Sequence, residues 1–311
     1  MGLCMSLAGR DIISIRDFTR FDIDHMLSAA DQMELQAKSG SDILRGKIMA
    51  TLFFEPSTRT KLSFESAMYR LGGSCIGFAE PSTASVQKGE NLSDTVRVVE
   101  NYADVLVIRH PLEGASRLAG EVTDVPVVNA GSGSEEHPTQ AILDIYTMKR
   151  EFGHIDGLKV AMVGDLRYGR TVHSLAYALS LYKDVKLCLI SPDLLRMRHE
   201  VLEDIGRNID FEEGKDLGKI LGEVDVIYMT RIQKERFADL AEYEAIKGSY
   251  RLTQADLKHC KKGAIVMHPL PRVDEIDADV DGTIYARYFR QVWYGVLSRM
   301  GLLALILGAI T

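Results

Sequence analysis

Two α/β domains, each with a parallel sheet flanked by helices, are the fold this sequence predicts, and three observations predict it. Strand-like apolar runs alternate with helix-like runs almost throughout, which is the pattern of βαβ units. The 311 residues exceed the ~250–300 at which a single hydrophobic core stops growing. The polar residues best suited to chemistry stand just after the predicted strands, where open α/β sheets hold their ligands.

Taken in order, the first half carries apolar runs at 48–54, 74–78, 105–109 and 125–129, each of strand length. A helix follows the first run, because Phe64, Ala67, Met68 and Leu71 recur at i, i+3, i+4 and i+7. Further helices are predicted at 91–101 and near 113–121, after a polar loop at 79–90. A helix over 138–152 joins the halves, with Ile142, Ile145, Tyr146 and Lys149 on one face and the Gly153–Gly157 turn as its end. The second half has strands at 159–164, 185–191, 224–229 and 264–268. The apolar tail 302–310 is far below the ~20 residues needed to cross a bilayer and reads as the end of a helix docked on a core.

Composition narrows the function classes. A formal net charge of −7 argues against a nucleic acid or an anionic membrane as partner, since both require a basic face. Any anionic substrate must then be held by locally clustered Arg, Lys and His. Cys4, Cys75, Cys188 and Cys260 are far apart and form no Cys-x-x-Cys pair, so neither a zinc site nor a disulfide framework is expected, and a reducing cytosol is the natural location. No basic region followed by a long apolar core opens the chain, although Met1-Gly2-Leu3-Cys4-Met5-Ser6 matches the short myristoylation pattern.

The most telling segment is Phe53-Phe54-Glu55-Pro56-Ser57-Thr58-Arg59-Thr60-Lys61, which sets three hydroxyls and a guanidinium where a strand gives way to a helix. Ser57 is expected at the N-cap. First-turn N–H groups lack internal partners and the macrodipole is positive there, so a phosphate dianion fits, with Arg59 adding a planar fork. By itself the segment also fits a Ser-capped helix with an exposed Arg. It is joined by Arg109-His110-Pro111 at another strand end, and by His137 and Gln140, one helical turn apart at a helix start.

Gly164-Asp165-Leu166-Arg167-Tyr168-Gly169-Arg170-Thr171 has the spacing of a P-loop, but Arg170 replaces the Lys. The strand at 224–229 also lacks a terminal Asp for Mg²⁺, which disfavours a nucleotide hydrolase, and no Gly-x-Gly-x-x-Gly supports a dinucleotide site. A basic cluster, Thr230-Arg231-Ile232-Gln233-Lys234-Glu235-Arg236, follows that strand. In His268-Pro269-Leu270-Pro271-Arg272 two prolines withhold N–H donors, leaving carbonyls to accept from a ligand's amide NH₂.

Together these motifs resemble the aspartate/ornithine carbamoyltransferase family over about Ile13 to Leu307, and within it the catalytic chains of the aspartate enzymes. The ornithine enzymes' His-Cys-Leu-Pro and Ser-Met-Gly are not found. The resemblance implies a carbamoyl phosphate-binding domain at 1–139 that the C-terminal helix, 293–311, crosses back to join, and an aspartate-binding domain at 140–292. It implies carbamoyl transfer to L-aspartate in pyrimidine biosynthesis, with no metal or cofactor. Ser57, Thr58, Arg59 and Thr60 would hold the phosphate, and Thr60, Arg109 and His137 the carbonyl oxygen. Gln140, Leu270 and Pro271 would fix the carbamoyl NH₂, and Arg170, Arg231 and Gln233 the aspartate carboxylates. Ser85 and Lys88 would reach a neighbouring subunit's site in a homotrimer, and Glu55, Arg170 and Arg236 resemble a set that bridges the domains. Separate regulatory chains are a further possible partner. The alternatives are a sister carbamoyltransferase acting on another amino acid and a paralogue that binds without catalysis.

Overall fold

The protein is described here from a computed structural model covering residues 6–78, 89–234, 237 and 239–311. The chain divides into two compact units, Met1–Tyr146 with Trp293–Thr311, and Thr147–Val292. Each is built on one parallel sheet, as the alternation of apolar runs predicts.

In the first unit, β1 (Ile48–Phe53), β2 (Ser74–Phe78), β3 (Val105–His110) and β4 (Val127–Ser132) lie in the order β2-β1-β3-β4. β1 and β3 are apolar and buried along almost their whole length, as central parallel strands covered on both faces must be. Their register sets Phe53 opposite Arg109, so both chains leave the sheet at the same level. β4 starts two residues later than its apolar run. Pro126 has no N–H for the ladder, but its carbonyl accepts from Leu106 N at 2.9 Å. α2 (Thr58–Arg70), α3 (Leu92–Val99) and α4 (Ala115–Val122) make the connections.

α1 (Arg20–Ser39) is an element the reading of the sequence missed, although its signal is present. Thr19 and Asp22 form a capping box, and Ile23, Met26, Leu27, Ala30, Met33 and Ala37 make a buried helical stripe. The last helix, α9 (Tyr288–Ile306), lies on α1. A Cβ on Gly301 would come within 2.7 Å of Ala30 N and 2.8 Å of Ala29 C. The two backbones meet there because glycine has no side chain.

In the second unit the order is β7-β6-β5-β8-β9, with β5 (Lys159–Val163), β6 (Lys186–Ile190), β7 (Asp210–Gly214), β8 (Val226–Met229) and β9 (Ile265–Met267). β7 escaped prediction because Asp-Phe-Glu-Glu-Gly has no apolar run. It is a mostly exposed edge strand defined by its pairing with β6. α6 (Arg170–Leu179), α7 (His199–Ile205) and α8 (Leu240–Ile246) belong to this unit. α5 (Pro138–Phe152) has the predicted bounds and contains the division between the units. It departs from a one-faced amphipathic helix, being buried on every side from Pro138 to Met148, polar residues included. Among the described residues no helix is long and apolar enough to cross a membrane.

The contact between α1 and α9 yields a stability prediction. Gly301→Ala should destabilise the first unit by about 1–3 kcal/mol, the usual cost of overpacking a tight core. Denaturant unfolding of the variant reads this directly; an unchanged midpoint would show that the helices can separate without loss.

Candidate functional site

The chain order in each sheet reverses at one pair of strands, β1/β3 in the first unit and β5/β8 in the second. Beyond such a reversal the connections leave in opposite directions and open a crevice at the strand ends. The candidate site residues lie at these two places and on the turns beside them.

In the first unit, Ser57 is the N-cap of α2, as expected, but its hydroxyl makes no cap bond. It therefore remains a donor toward whatever the helix start holds. Thr58 and Arg59 are exposed in the first turn and Thr60 is buried. Across the reversal, Arg109 Nη1 donates to Ala130 O at 3.2 Å and Nη2 to Glu55 Oε1 at 2.5 Å. Phe54 N donates to Arg109 O at 2.8 Å. Arg109 is thus a buried, oriented guanidinium, held by a carboxylate from the end of β1 and a carbonyl of β4.

The turn after β4 is fastened through Asn129. Its Nδ2 donates to Ile13 O at 2.9 Å and to Ser132 Oγ at 3.0 Å, and its Oδ1 accepts from Gly131 N at 2.8 Å. Glu136 is the second anchor. Ser14 Oγ donates to it at 2.5 Å and Ile15 N at 2.8 Å, while Ser132 N donates to its carbonyl. Burial pushes the Glu136 carboxyl upward, and the Ser14 and Ile15 bonds oppose that. His137 follows directly, buried, with Nδ1 3.5 Å from Thr139 Oγ1. Gln140 Nε2 donates to Asp144 Oδ1 at 2.8 Å.

In the second unit, Thr230 ties the ends of β5 and β8 together. Its Oγ1 donates to Val163 O at 2.9 Å and accepts from Asp165 N at 3.0 Å. Gly164, at φ 114°, allows this approach, since a Cβ there would stand 2.3 Å from Thr230 O. Asp165 accepts from Tyr168 N at 2.9 Å, and Gln233 Nε2 donates to Tyr168 O at 3.2 Å. Burial raises the Asp165 carboxyl, with the N–H bonds and the Arg231 charge acting against it. Arg231 and Gln233 are half-buried after β8, and Arg170, also half-buried, opens α6. A cavity of ≈ 210 Å³ is lined by Arg231, Lys234 and Lys247 and also by Asp274 and Glu275, so cations and carboxylates share its wall.

The turn after β9 rests on a buried dyad. His268 Nδ1 accepts from Leu270 N at 2.7 Å, so its proton sits on Nε2, which meets Glu275 Oε1 at 2.6 Å. Glu275 Oε2 accepts from Val273 N at 3.0 Å and Asp274 N at 3.1 Å. Burial pushes the His268 pKa down. Burial also works to raise Glu275, but the His268 and Val273 bonds outweigh it and hold the carboxyl below its ordinary value. This scaffold carries Leu270, at φ 56°, and the cis Leu270–Pro271 peptide.

Ser85, Lys88 and Arg236 lie outside the described residues, as do Gly2, Cys4 and most of the loop expected at 79–90. The supporting residues Glu136, Asp144, Asp165 and Glu275 were not singled out from sequence. Each is one acid among 44, and only its burial distinguishes it.

A family model described as the carbamoyl-P binding domain of aspartate/ornithine carbamoyltransferases matches residues 10–150, and one described as their Asp/Orn binding domain matches residues 156–306. The aspartate carbamoyltransferase catalytic subunit of Thermococcus gammatolerans is 58% identical over 98% of this chain and 100% of its own. Among solved structures, Trypanosoma cruzi aspartate transcarbamoylase in complex with carbamoyl phosphate and aspartate superimposes with a TM-score of 0.93 at 40% identity, covering 97% of this chain and 98% of that one. The catalytic subunit of M. jannaschii aspartate transcarbamoylase does so with a TM-score of 0.88 at 52% identity, covering 94% and 96%.

The dyad predicts a pH dependence. The folded pKa of His268 lies below its ordinary value of 6.5, so the unfolded chain binds the proton first. The contribution of His268 to stability is fully present above about pH 6.5 and is lost as pH falls from there through the folded pKa. Denaturant unfolding between pH 8 and 5 should show this slope in the wild type and a flatter one in His268→Gln. Imidazole ¹⁵N spectra should show the neutral Nε2–H form at pH 7; an imidazolium signal there contradicts the assignment.

Proposed function

The chain belongs to the aspartate/ornithine carbamoyltransferase family, and on that premise we propose that it transfers the carbamoyl group of carbamoyl phosphate to the amine of L-aspartate, yielding N-carbamoyl-L-aspartate and phosphate, a step of pyrimidine biosynthesis. The observation that carries this reading is the oriented Arg109 guanidinium beside the start of α2, a donor array at the level where β1 and β3 end. Ser57, Thr58, Arg59 and Thr60 bind the phosphate. Thr60, Arg109 and His137 donate to the carbonyl oxygen, which gains charge as the amine attacks and the C–O bond to phosphate breaks. Donors aimed at that developing charge stabilise the transition state more than the ground state.

Gln140 and the carbonyls at Leu270 and Pro271 accept from the carbamoyl NH₂. Arg170, Arg231 and Gln233 bind the carboxylates of aspartate, with Lys88 as a further cation. An ornithine side chain would bring an ammonium to the cations that suit a carboxylate, which disfavours the sister activity. Positioning and electrostatics supply most of the rate enhancement, and no side chain need act as nucleophile. The active assembly is a homotrimer in which Ser85 and Lys88 serve the neighbouring subunit's site.

Two substitutions separate the substrates. Arg59→Ala should lower kcat by about 10²–10³, as loss of one donor to a developing charge does, with a far smaller effect on aspartate KM. Arg231→Ala should instead weaken aspartate binding by roughly 2–5 kcal/mol and leave carbamoyl phosphate binding nearly intact. Near wild-type turnover in the first variant, or citrulline formation from ornithine rivalling carbamoyl aspartate formation in the wild type, would overturn the assignment.

The shared site has its own test. Homotrimers of Lys88→Ala and of Arg59→Ala should each be nearly inactive, while refolding the two together should restore part of the wild-type activity. Such recovery requires sites built from two chains. Confirmed hybrids without recovered activity would return Lys88 to its own subunit.

A further inference from the structure

A buried charge network in the first unit goes unused by the roles above. Asp144, one turn beyond Gln140 on α5, is wholly buried and accepts from Gln140 Nε2. The Arg299 guanidinium of α9 is its counter-charge. Arg299 is buried as well. Its Nη1 donates to Ser63 Oγ at 3.0 Å and to Gly295 O at 3.3 Å, and its guanidinium lies 4.9 Å from the centroid of the Phe64 ring. Burial pushes the Arg299 pKa down to about 10, opposed by Asp144, so the guanidinium is still charged at neutral pH.

The bond runs from Gln140 Nε2 to Asp144 Oδ1 at 2.8 Å, and a carboxylate can only accept hydrogen bonds. The end of the Gln140 amide facing Asp144 is therefore its NH₂. The amide is planar, with its carbonyl on the opposite arm, so committing Nε2 turns Oε1 away from the carboxylate. We infer that Asp144 is a positioning residue that sets the polarity of the Gln140 amide, so that the site presents an acceptor to the carbamoyl NH₂ and selects a carbamoyl group over an acyl group bearing a methyl in that place. The inference rests on the carbamoyl-transfer reading. A carbamoyl NH₂ satisfies the Gln140 oxygen, whereas an acetyl methyl leaves a polar atom without its bond, which is how sites built to hydrogen-bond a substrate reject an analogue lacking the group.

The test compares carbamoyl phosphate with acetyl phosphate as donors to L-aspartate. The side-chain amide introduced by Asp144→Asn can donate as well as accept, so the Gln140 amide is free to take either orientation. The ratio of kcat/KM for carbamoyl over acetyl transfer should fall roughly tenfold or more, chiefly through loss of carbamoyl transfer, with inhibition by inorganic phosphate little changed. Adding Asp144→Asn to Gln140→Leu should then change the ratio no further. Because the single substitution strips Arg299 of its counter-charge, Asp144→Asn with Arg299→Gln is made in parallel. The discrimination should stay lost in that pair, whereas its return would mean that Asp144 serves only as a counter-ion. An unchanged ratio in a folded Asp144→Asn variant, with wild-type carbamoyl transfer intact, overturns the inference alone. Failure of the wild type to transfer the carbamoyl group overturns the functional reading and the inference together.

Discussion

The pairing of β1 with β3 is the constraint from which the first unit's chemistry follows. Parallel strands can only be joined through crossovers, and these two strands send theirs to opposite sides of the sheet. Their ends cannot both be covered by the connections, and they leave the sheet in register, Phe53 opposite Arg109. Glu55, the start of α2 and Arg109 are neighbours for that reason, though about fifty residues separate them in the chain. The second unit repeats the solution with β5 and β8. There the close passage of Gly164 and Thr230 brings the segments carrying Arg170 and Arg231 off the same end of the sheet.

Neither crevice would hold its shape on hydrophobic packing alone, because the residues at the strand ends are polar and buried. Burying such groups costs free energy unless each finds a partner. Asn129 spends its amide on Ile13, Gly131 and Ser132, and Glu136 is met by Ser14 and Ile15. Thr230 bonds both Val163 and Asp165, and Glu275 receives His268 and two backbone N–H groups. These bonds fix turns that no regular ladder reaches. They also dictate which face of a side chain remains for a ligand, as the His268 tautomer and the direction of the Gln140 amide illustrate.

Periodicity and motif spacing carried the reading of the sequence a long way. All eight apolar runs read as strands form strands, and α5 has its predicted bounds; burial on both faces of a parallel sheet leaves continuous apolar segments in the central strands, whereas β2 is a mostly exposed edge paired with β1. Membership of the carbamoyltransferase family was legible in Ser57-Thr58-Arg59-Thr60, His137-Pro138-Thr139-Gln140 and His268-Pro269-Leu270-Pro271 because chemistry on an anion demands particular side chains at fixed offsets from strand ends. α1 was legible too, through its cap and its stripe.

What only the tertiary structure decided concerns residues whose meaning depends on distant partners. β7 has no apolar pattern and exists through its pairing with β6. Glu136 is set apart from the exposed Glu135 by the bonds its carboxylate accepts from Ser14 and Ile15, over a hundred residues away, and Asp144 acquires its role from Gln140 and from Arg299 at the far end of the chain. Ser57 sits at the predicted cap position, but its hydroxyl is not used by the helix. Local sequence determines which segments become strands and helices and which side chains leave a strand end, because those depend on neighbours within a few residues. Which polar groups are buried, and toward what they are turned, depends on long-range packing and becomes visible only when the chain is folded.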